Sequence, residues 1–276
     1  MRRGVIPVVM GGLGNQMFIV AAAYVIQRHL KCPLYLVKTN YSKHNKLNND
    51  YHLSVFRFFG IHLPYTEDSQ QFMNRLGYNV FHSRAHSPYE PWCPSMMTPG
   101  TILTNAYFQF YKPIRRYENE IRELFLKGLE YYREILADYS HCAFIHVRRG
   151  DFIELSALVA NLGMDYYEPA SKILKEKGVK EFVVTSDDTA WLKEQPLFSS
   201  PGFTIFDSTN ELETLALMSK CTAGAICANS SFSWWGAFLG AYGARNTVIA
   251  PKKWSTHPIF IERDMVNFFP EEWIAL

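Results

Sequence analysis

Hydrophobic and polar positions in the second half of the chain follow two alternating patterns. Short apolar runs such as CAFIHV (142–147) and EFVVTS (181–186) are separated by segments such as NELETLALMSKC (210–221), where apolar residues recur every three or four positions. The first pattern is typical of strands buried on both faces, and the second is typical of amphipathic helices. Their alternation predicts a parallel sheet covered by helices.

The first half opens with a unit of the same kind. The pattern predicts a strand from Val5 to Met10, a glycine-rich turn GGLGNQ (11–16) and a helix from Met17 to about Leu30. A second short apolar run, PLYLV (33–37), predicts the next strand. This order of strand, turn, helix and strand indicates a second nucleotide-fold unit.

The rest of the first half has a weaker pattern. Residues 40–104 are rich in Tyr, Phe, His, Asn and Pro without a clear period, which predicts loops and short elements. Apolar spacing of three and four predicts a helix over about 114–136. We therefore predict an α/β fold of two domains, residues 1–138 and 139–276, each with a parallel sheet and with a cleft between them.

Composition narrows the classes of partner. The 276 residues are 48% hydrophobic and 20% charged, and 28 basic against 26 acidic residues leave a net charge of only +2. This balance gives no support for nucleic acid as a partner. Because no apolar run approaches the roughly 20 residues of a spanning helix, we predict a soluble chain without a transmembrane segment. The five cysteines have no CxxC spacing, which favours free thiols in a reducing compartment.

Polar clusters follow four of the predicted strands. HVRRGD (146–151), SDD (186–188) and NSSFS (229–233) each come after a strand of the second half, and GGLGNQ follows the first strand of the chain. In open parallel sheets, ligands bind beyond the carboxyl ends of the strands. These clusters are therefore the candidates for a binding site.

The arginine pair in HVRRGD is suited to an anion. Arg148 and Arg149 can face one ligand if the chain turns at Gly150, with one guanidinium binding a phosphate while Asp151 holds the other. The planar guanidinium matches phosphate oxygens in a bidentate way and stays charged. The alternative is a surface salt bridge at a strand end.

Two other clusters have a binding and a capping interpretation. Ser230, Ser231 and Ser233 lie where a strand passes into a helix, so hydroxyls and free N–H groups would receive a phosphate there. The alternative is an ordinary serine cap. Asp187 could accept hydrogen bonds from a guanine or a ribose, or the SDD run could cap the helix that follows.

Several classes of enzyme are disfavoured because their sequence motifs are missing. GGLGNQM resembles a dinucleotide fingerprint, but Met17 stands where the third glycine is needed, which argues against a nicotinamide cofactor. The sequence has no GxxxxGK[ST], HExxH, GxSxG or Asp-x-Asp pattern. We therefore predict no cofactor and no metal, with arginine and a helix N-terminus neutralising the phosphates.

Three of these segments together resemble a known family. GGLGNQMF (11–18), HVRRGD (146–151) and NSSFSWWGAFL (229–239) look like the signatures of the alpha-1,2-fucosyltransferases, glycosyltransferase family 11. NAYFQFYK, MDYYEPA, TSDDTAWLK and LETLALMSKC lie between them in the family's order, so the resemblance covers nearly the whole chain.

The resemblance implies a fold of GT-B type, with two facing Rossmann-like domains, and a specific reaction. That reaction is metal-free, inverting transfer of L-fucose from GDP-fucose to a glycan acceptor, at O2 of a terminal β-galactose. The lack of an anchor then favours a cytoplasmic enzyme of a bacterium or a virus-infected cell. The alternatives are a transferase of the same fold that uses another GDP-sugar or acceptor position, and a non-catalytic nucleotide-sugar or glycan binding module.

The resemblance also implies roles for individual residues. Arg148 or Arg149 would contact the donor diphosphate. The candidates for a general base follow from nearness to this motif and are Asp151, which is preferred, and Glu154; the alternative is that an arginine pairs with Asp151 and no strong base is needed. Among the donor-binding residues, His146 would lie by the ribose or phosphate, Asp187 by the guanine, the serine segment by the β-phosphate, and the glycine-rich turn by the sugar diphosphate. The donor-binding set is Gly12, Gly14, Asn15, His146, Asp187, Ser230, Ser231, Phe232 and Ser233.

Overall fold

The computed structural model divides into two compact units, Met1–Gly128 and Leu129–Leu276. No helix in the described part of the chain is long and apolar enough to cross a membrane. The cysteines that are described, Cys32, Cys142, Cys221 and Cys227, are free thiols. The structure describes residues 4–7, 9, 11–35, 79–82, 101–104, 107–240, 247–256 and 268–276, with side chains in 79–82 and most of 101–104 excepted.

The first unit contains a parallel three-stranded sheet and a long helix. Strands β1 (Val5–Pro7), β2 (Asn79–His82) and β3 (Thr101–Thr104) pair in the order β1-β3-β2. One face of helix α1 (Leu13–Leu30) packs its small and branched side chains against this sheet. Of the predicted strand at 33–37, Leu34 forms a single parallel bridge to β1, and residues 36 and 37 lie outside the described residues.

Helix α1 begins four residues earlier than the pattern predicts, at Leu13 rather than Met17. Strand β1 ends at Pro7, before the predicted Met10, and the turn into the helix is made at Gly11, whose φ of 76° glycine tolerates without strain. Gly12 is then the N-cap in an extended conformation. Gly14 and Asn15 consequently lie in the first turn of the helix rather than in a loop.

Three helices replace the single helix predicted over 114–136. They are α2 (Tyr111–Arg115), α3 (Glu118–Gly128) and α4 (Glu130–Ile135), and Gly128, a poor helix former, marks the second break. Helix α4 belongs to the second unit because the Lys220 Nζ donates to the carbonyls of Arg133 and Leu136, at 2.9 Å each. The second unit therefore begins before the predicted boundary at residue 138.

The second unit is built on the predicted parallel sheet, which has six strands in the order β6-β5-β4-β7-β8-β9. The first strand of the unit, β4, is central, with the next two strands on one side and the last three on the other. This is the doubly wound order of nucleotide-binding sheets, and its direction of growth reverses between β4 and β7. The strands are β4 (Cys142–Val147), β5 (Glu181–Ser186), β6 (Phe203–Ile205), β7 (Gly224–Ile226), β8 (Thr247–Ala250) and β9 (Ile274–Ala275).

Helices cover this sheet as the apolar spacing predicts. Trp234 and Trp235 on the helix after β7 are fully buried at 0% exposure. Phe144 and Ile145 in the central strand are buried as well, so both faces of the strand are covered. The helices are α5 (Gly150–Glu154), α6 (Met164–Glu176), α7 (Thr189–Glu194), α8 (Glu211–Lys220) and α9 (Ser231–Gly240).

Candidate active site

Two of the predicted clusters meet at the carboxyl edge of the second sheet. Strand β4 ends at Val147, the two arginines follow, and α5 begins at Gly150. Val147 is opposite Ser186 in the parallel register of β4 and β5, so both strands end at the same level. HVRRGD and SDD consequently lie side by side, as their positions after neighbouring strands predict.

Asp187 holds the side chain of Arg148 and the backbone of Arg149. Its Oδ2 lies 2.7 Å from Arg148 Nη1, and its Oδ1 accepts a hydrogen bond of 2.9 Å from the Arg149 backbone N–H. The same carboxylate packs on Gly150, where a Cβ would come within 2.3 Å of Oδ2. Both oxygens of Asp187 are thus engaged within the chain, and its predicted contact with guanine stays a prediction.

Arg149 is oriented by the start of α7. Its Nε donates to Asp188 Oδ2 at 3.2 Å, and its guanidinium carbon lies 4.3 Å from the ring centroid of Trp191. Asp188 is also the N-cap of α7 and accepts from the Trp191 N–H at 3.0 Å. The Nη1 and Nη2 atoms of Arg149 have no partner in the described part of the chain, so they are available to a phosphate.

Arg148 lies between two carboxylates. Its Nη2 donates to Asp151 Oδ1 at 2.6 Å, while its Nη1 pairs with Asp187. The ring of Phe152 lies 5.2 Å from its guanidinium carbon. Both terminal nitrogens of this arginine are therefore occupied. The salt bridge at a strand end, which the sequence offered as the alternative to an anion site, is therefore present at Arg148. The terminal nitrogens that remain open to an anion are those of Arg149.

His146 connects the end of β4 to the start of α9. Its side chain is buried, and its ring lies edge-on to Phe232 at a centroid distance of 5.6 Å. Burial, and secondarily the charge of Arg148, lowers the pKa of His146 to about 3, so the imidazole is neutral near pH 7. Its Nδ1 has no hydrogen-bond partner in the described residues. A neutral ring with an open nitrogen can bond to a ligand hydroxyl or phosphate.

The serine cluster forms the N-terminus of α9. Ser230 and Ser231 are half-buried there, and the first turn carries no acidic side chain. The positive end of the helix dipole is therefore not neutralised within the helix, which favours an anion. Ser233 is wholly buried, and its Oγ accepts a hydrogen bond of 2.9 Å from the Ala228 N–H, so it shapes the turn from within.

Asn229 has a supporting role that the sequence did not reveal. Its buried Nδ2 donates to the carbonyls of Ala160 and Trp254, at 2.7 and 2.9 Å. These bonds attach the start of α9 to the segments after α5 and after β8. The sequence placed Asn229 in a ligand-facing cluster, since a polar residue after a strand has the same pattern in both roles.

The glycine-rich turn of the first unit leads into another helix N-terminus. Gly12 caps α1 without a side-chain hydrogen bond, and the first turn has no acidic residue. Asn15 Oδ1 accepts from Gln109 Nε2 at 2.7 Å, and the buried Gln16 donates to the Gly11 carbonyl at 2.8 Å. The contacts predicted for Gly12, Gly14 and Asn15 with a donor stay predictions.

One group of side chains among the described residues has the make-up of a metal site. The ligand atoms of His141, Cys142 and Glu181 lie within 4.8 Å of one another. They are at the amino ends of β4 and β5, whereas the arginines are at the carboxyl ends. His141 pairs with Glu181 at 3.2 Å, and burial raises the pKa of the Cys142 thiol to about 11. This group is therefore separate from the candidate active site.

The comparison with protein families agrees with the signatures in the sequence. Residues 100–276, which include the arginine pair and the serine cluster, match the model of glycosyl transferase family 11. The chain belongs to glycosyltransferase family 11. It is thus a glycosyltransferase, and the family resemblance predicted from the three signatures is confirmed.

Two curated relatives are similar over almost their whole length. The chain is 28% identical over 306 residues to the O-antigen biosynthesis glycosyltransferase WbnK of Escherichia coli, covering 96% of this chain and 98% of that protein. It is also 28% identical over 287 residues to an alpha-1,2-colitosyltransferase of Escherichia coli, covering 96% of each. Both are glycosyltransferases by name.

A solved structure is similar in fold. The crystal structure of POFUT1 in complex with GDP aligns with a TM-score of 0.51 at 12% identity, covering 89% of this chain and 98% of that chain. At this level of identity the likeness concerns the fold alone. It agrees with the mixed α/β architecture and the parallel sheet described above.

Proposed function

We propose that this enzyme transfers L-fucose from GDP-fucose to O2 of a terminal β-galactose in a glycan, with inversion and without a metal ion. The observation that carries the proposal is the placement of Arg148 and Arg149 at the point where the sheet reverses its order. The His146–Phe232 contact ties that point to the N-terminus of α9. Two guanidinium groups near an unneutralised helix dipole suit a leaving diphosphate.

The chemistry follows from where charge develops. The acceptor oxygen forms a bond to C1 of fucose while the bond from C1 to the β-phosphate oxygen breaks, and GDP leaves with the electron pair. Arg148 and Arg149 stabilise the negative charge that grows on the β-phosphate. The proton of the acceptor hydroxyl passes to the Asp151 carboxylate, which lies one turn beyond the arginines.

The proposed arrangement is of GT-B type, with the donor between two facing domains. Its support is that each unit has a parallel sheet and a helix N-terminus without an acidic first turn, α1 in one unit and α9 in the other. In this arrangement Gly12, Gly14 and Asn15 approach the sugar diphosphate from the first unit. His146, Asp187 and the serine cluster contact it from the second.

A second candidate is colitosyl transfer by the same site. The similarity to an alpha-1,2-colitosyltransferase over 96% of the chain favours it. The arginine pair and the helix N-terminus address the nucleotide diphosphate and not the sugar, so they serve either donor. Discrimination between the two sugars must come from contacts with the sugar ring.

The test is GDP release from GDP-fucose with a panel of β-galactosides, run with and without EDTA, followed by NMR of the product linkage. Release that is stimulated by a galactoside and is unchanged by EDTA, with an α1,2 product, agrees with the proposal. A strict requirement for a divalent cation contradicts the metal-free mechanism. Binding of GDP without release from GDP-fucose, combined with transfer from nucleotide-activated colitose, favours the second candidate.

A further inference from the structure

The two carboxylates that bind Arg148 are held with different strength. Asp187 is fixed by a second hydrogen bond, from the Arg149 N–H, and by its contact with Gly150. The Asp151 side chain is 42% exposed, and within the described residues Arg148 is its only side-chain partner. Asp151 can therefore leave Arg148 by a rotation of its own side chain, whereas Asp187 cannot leave without disturbing the backbone.

The net charge of the arginine pair and its carboxylate partners disfavours a bound diphosphate in the arrangement that the structure shows. Two arginines face three carboxylates, Asp151, Asp187 and Asp188, which leaves one negative charge in excess. Like charges a few ångströms apart repel each other, and a bound diphosphate would add further negative charge to this excess. Movement of one carboxylate away from the arginines would therefore favour binding of a diphosphate.

We propose that the donor diphosphate displaces Asp151 from Arg148, and that this exchange frees the Asp151 carboxylate to accept the proton of the acceptor hydroxyl. The inference rests on the proposed function. The exchange keeps Arg148 paired throughout, because a phosphate oxygen takes the place of the Asp151 oxygen on Nη2. Asp187 and Phe152 hold the guanidinium in position while its partner changes.

The exchange links the two substrates. Before the donor binds, Oδ1 of Asp151 accepts a hydrogen bond of 2.6 Å from Arg148 Nη2 and is turned toward that guanidinium. After the donor binds, the carboxylate lies beside the leaving group and is unpaired. Proton transfer to Asp151 therefore follows donor binding.

The test measures the dissociation constant of GDP by calorimetry for the wild type, Asp151→Asn, Asp187→Asn and Glu154→Gln. Because Asp151 competes with the phosphate for Arg148, Asp151→Asn should bind GDP about three- to tenfold more tightly, and more so at low salt. Its rate of transfer should fall by about 10²–10⁴. Asp187→Asn should bind GDP more weakly, because it removes the charged partner that holds the Arg148 guanidinium in place.

Glu154→Gln is the matched control, since it removes the same charge from the same helix, at a residue that contacts no arginine in the described part of the chain. It should leave the affinity for GDP within about twofold of the wild type. Equal or weaker binding of GDP by Asp151→Asn would overturn the exchange, because it would make Asp151 a support for Arg148. A wild-type chain that binds no GDP would overturn the proposed function itself, and the exchange with it.

Discussion

Gly150→Ala tests whether the arginine pair depends on one closely packed carboxylate. An alanine Cβ at this position would lie 2.3 Å from Asp187 Oδ2, which is closer than any real contact. The carboxylate would have to retreat by about 1 Å to reach an ordinary van der Waals distance. That movement would lengthen its bonds of 2.7 Å to Arg148 Nη1 and 2.9 Å to the Arg149 N–H beyond hydrogen-bond range.

The expected change in the free energy of unfolding combines the bonds that are lost with the higher helix propensity of alanine. A partly exposed ion pair contributes about 0.2–1 kcal/mol, and the hydrogen bond from a backbone N–H to a carboxylate contributes about 1–2 kcal/mol. Alanine in place of glycine in the first turn of α5 returns about 0.5–1 kcal/mol. We expect a net loss of about 1 kcal/mol in the free energy of unfolding. The affinity for GDP should fall by about tenfold or more, because Arg148 loses its anchor.

A double-mutant cycle with Asp187→Ala provides the decisive assay. Urea unfolding and GDP calorimetry are measured for Gly150→Ala, Asp187→Ala and the double variant. Without the carboxylate there is nothing for the new Cβ to strike, so Gly150→Ala should then raise stability by about 0.5–1 kcal/mol. The same penalty in both backgrounds, or no effect of Gly150→Ala on the wild type, would refute the argument.

Three further variants test other parts of the site. Arg149→Ala should retain the circular dichroism spectrum and lose about 10²–10³ in transfer rate, and near-normal turnover in a folded variant would remove Arg149 from the mechanism. Asn229→Ala should lower the free energy of unfolding in urea by about 1–3 kcal/mol, since the Ala160 carbonyl loses its buried side-chain donor and the Trp254 carbonyl loses its shorter bond, and a loss below about 0.5 kcal/mol would contradict this. Because the pKa of His146 is about 3 when folded and near 6.5 in a model peptide, the unfolded chain binds an extra proton between these values. Stability should therefore fall as pH drops from about 6.5 toward 3, by at most about 1.4 kcal/mol per pH unit, and the same slope in His146→Gln would exclude His146 as its source.

The periodicity was most informative where strands are buried on both faces. β4 and β5 have the bounds that CAFIHV and EFVVTS predict, because a continuous apolar run with charged residues at its end is unambiguous. The helix predicted over 114–136 failed as a single element, since tertiary packing draws α4 to the second unit. The region 40–104, which had no clear period, lies mostly outside the described residues.

Residue types at the ends of strands were sufficient to indicate an anion site. Which atoms serve the ligand and which serve the chain depends on distances that no pattern encodes. The sequence predicted Asp187 and Ser233 as donor contacts, and the structure shows their polar atoms engaged with Arg148, Arg149 and Ala228.

The sequence by itself determined the family, the alternation of strands and helices, and the position of the charged clusters after the strands. These properties are local, because they depend on which residues follow one another. Only the tertiary structure decided that Arg148 shares two carboxylates, that Gly150 must lack a Cβ, and that Asn229 is a support. The Arg148–Asp151 pair is local, but the contacts of Asp187 and Asn229 join residues far apart in the chain, and they exist only once the strands are assembled into one sheet.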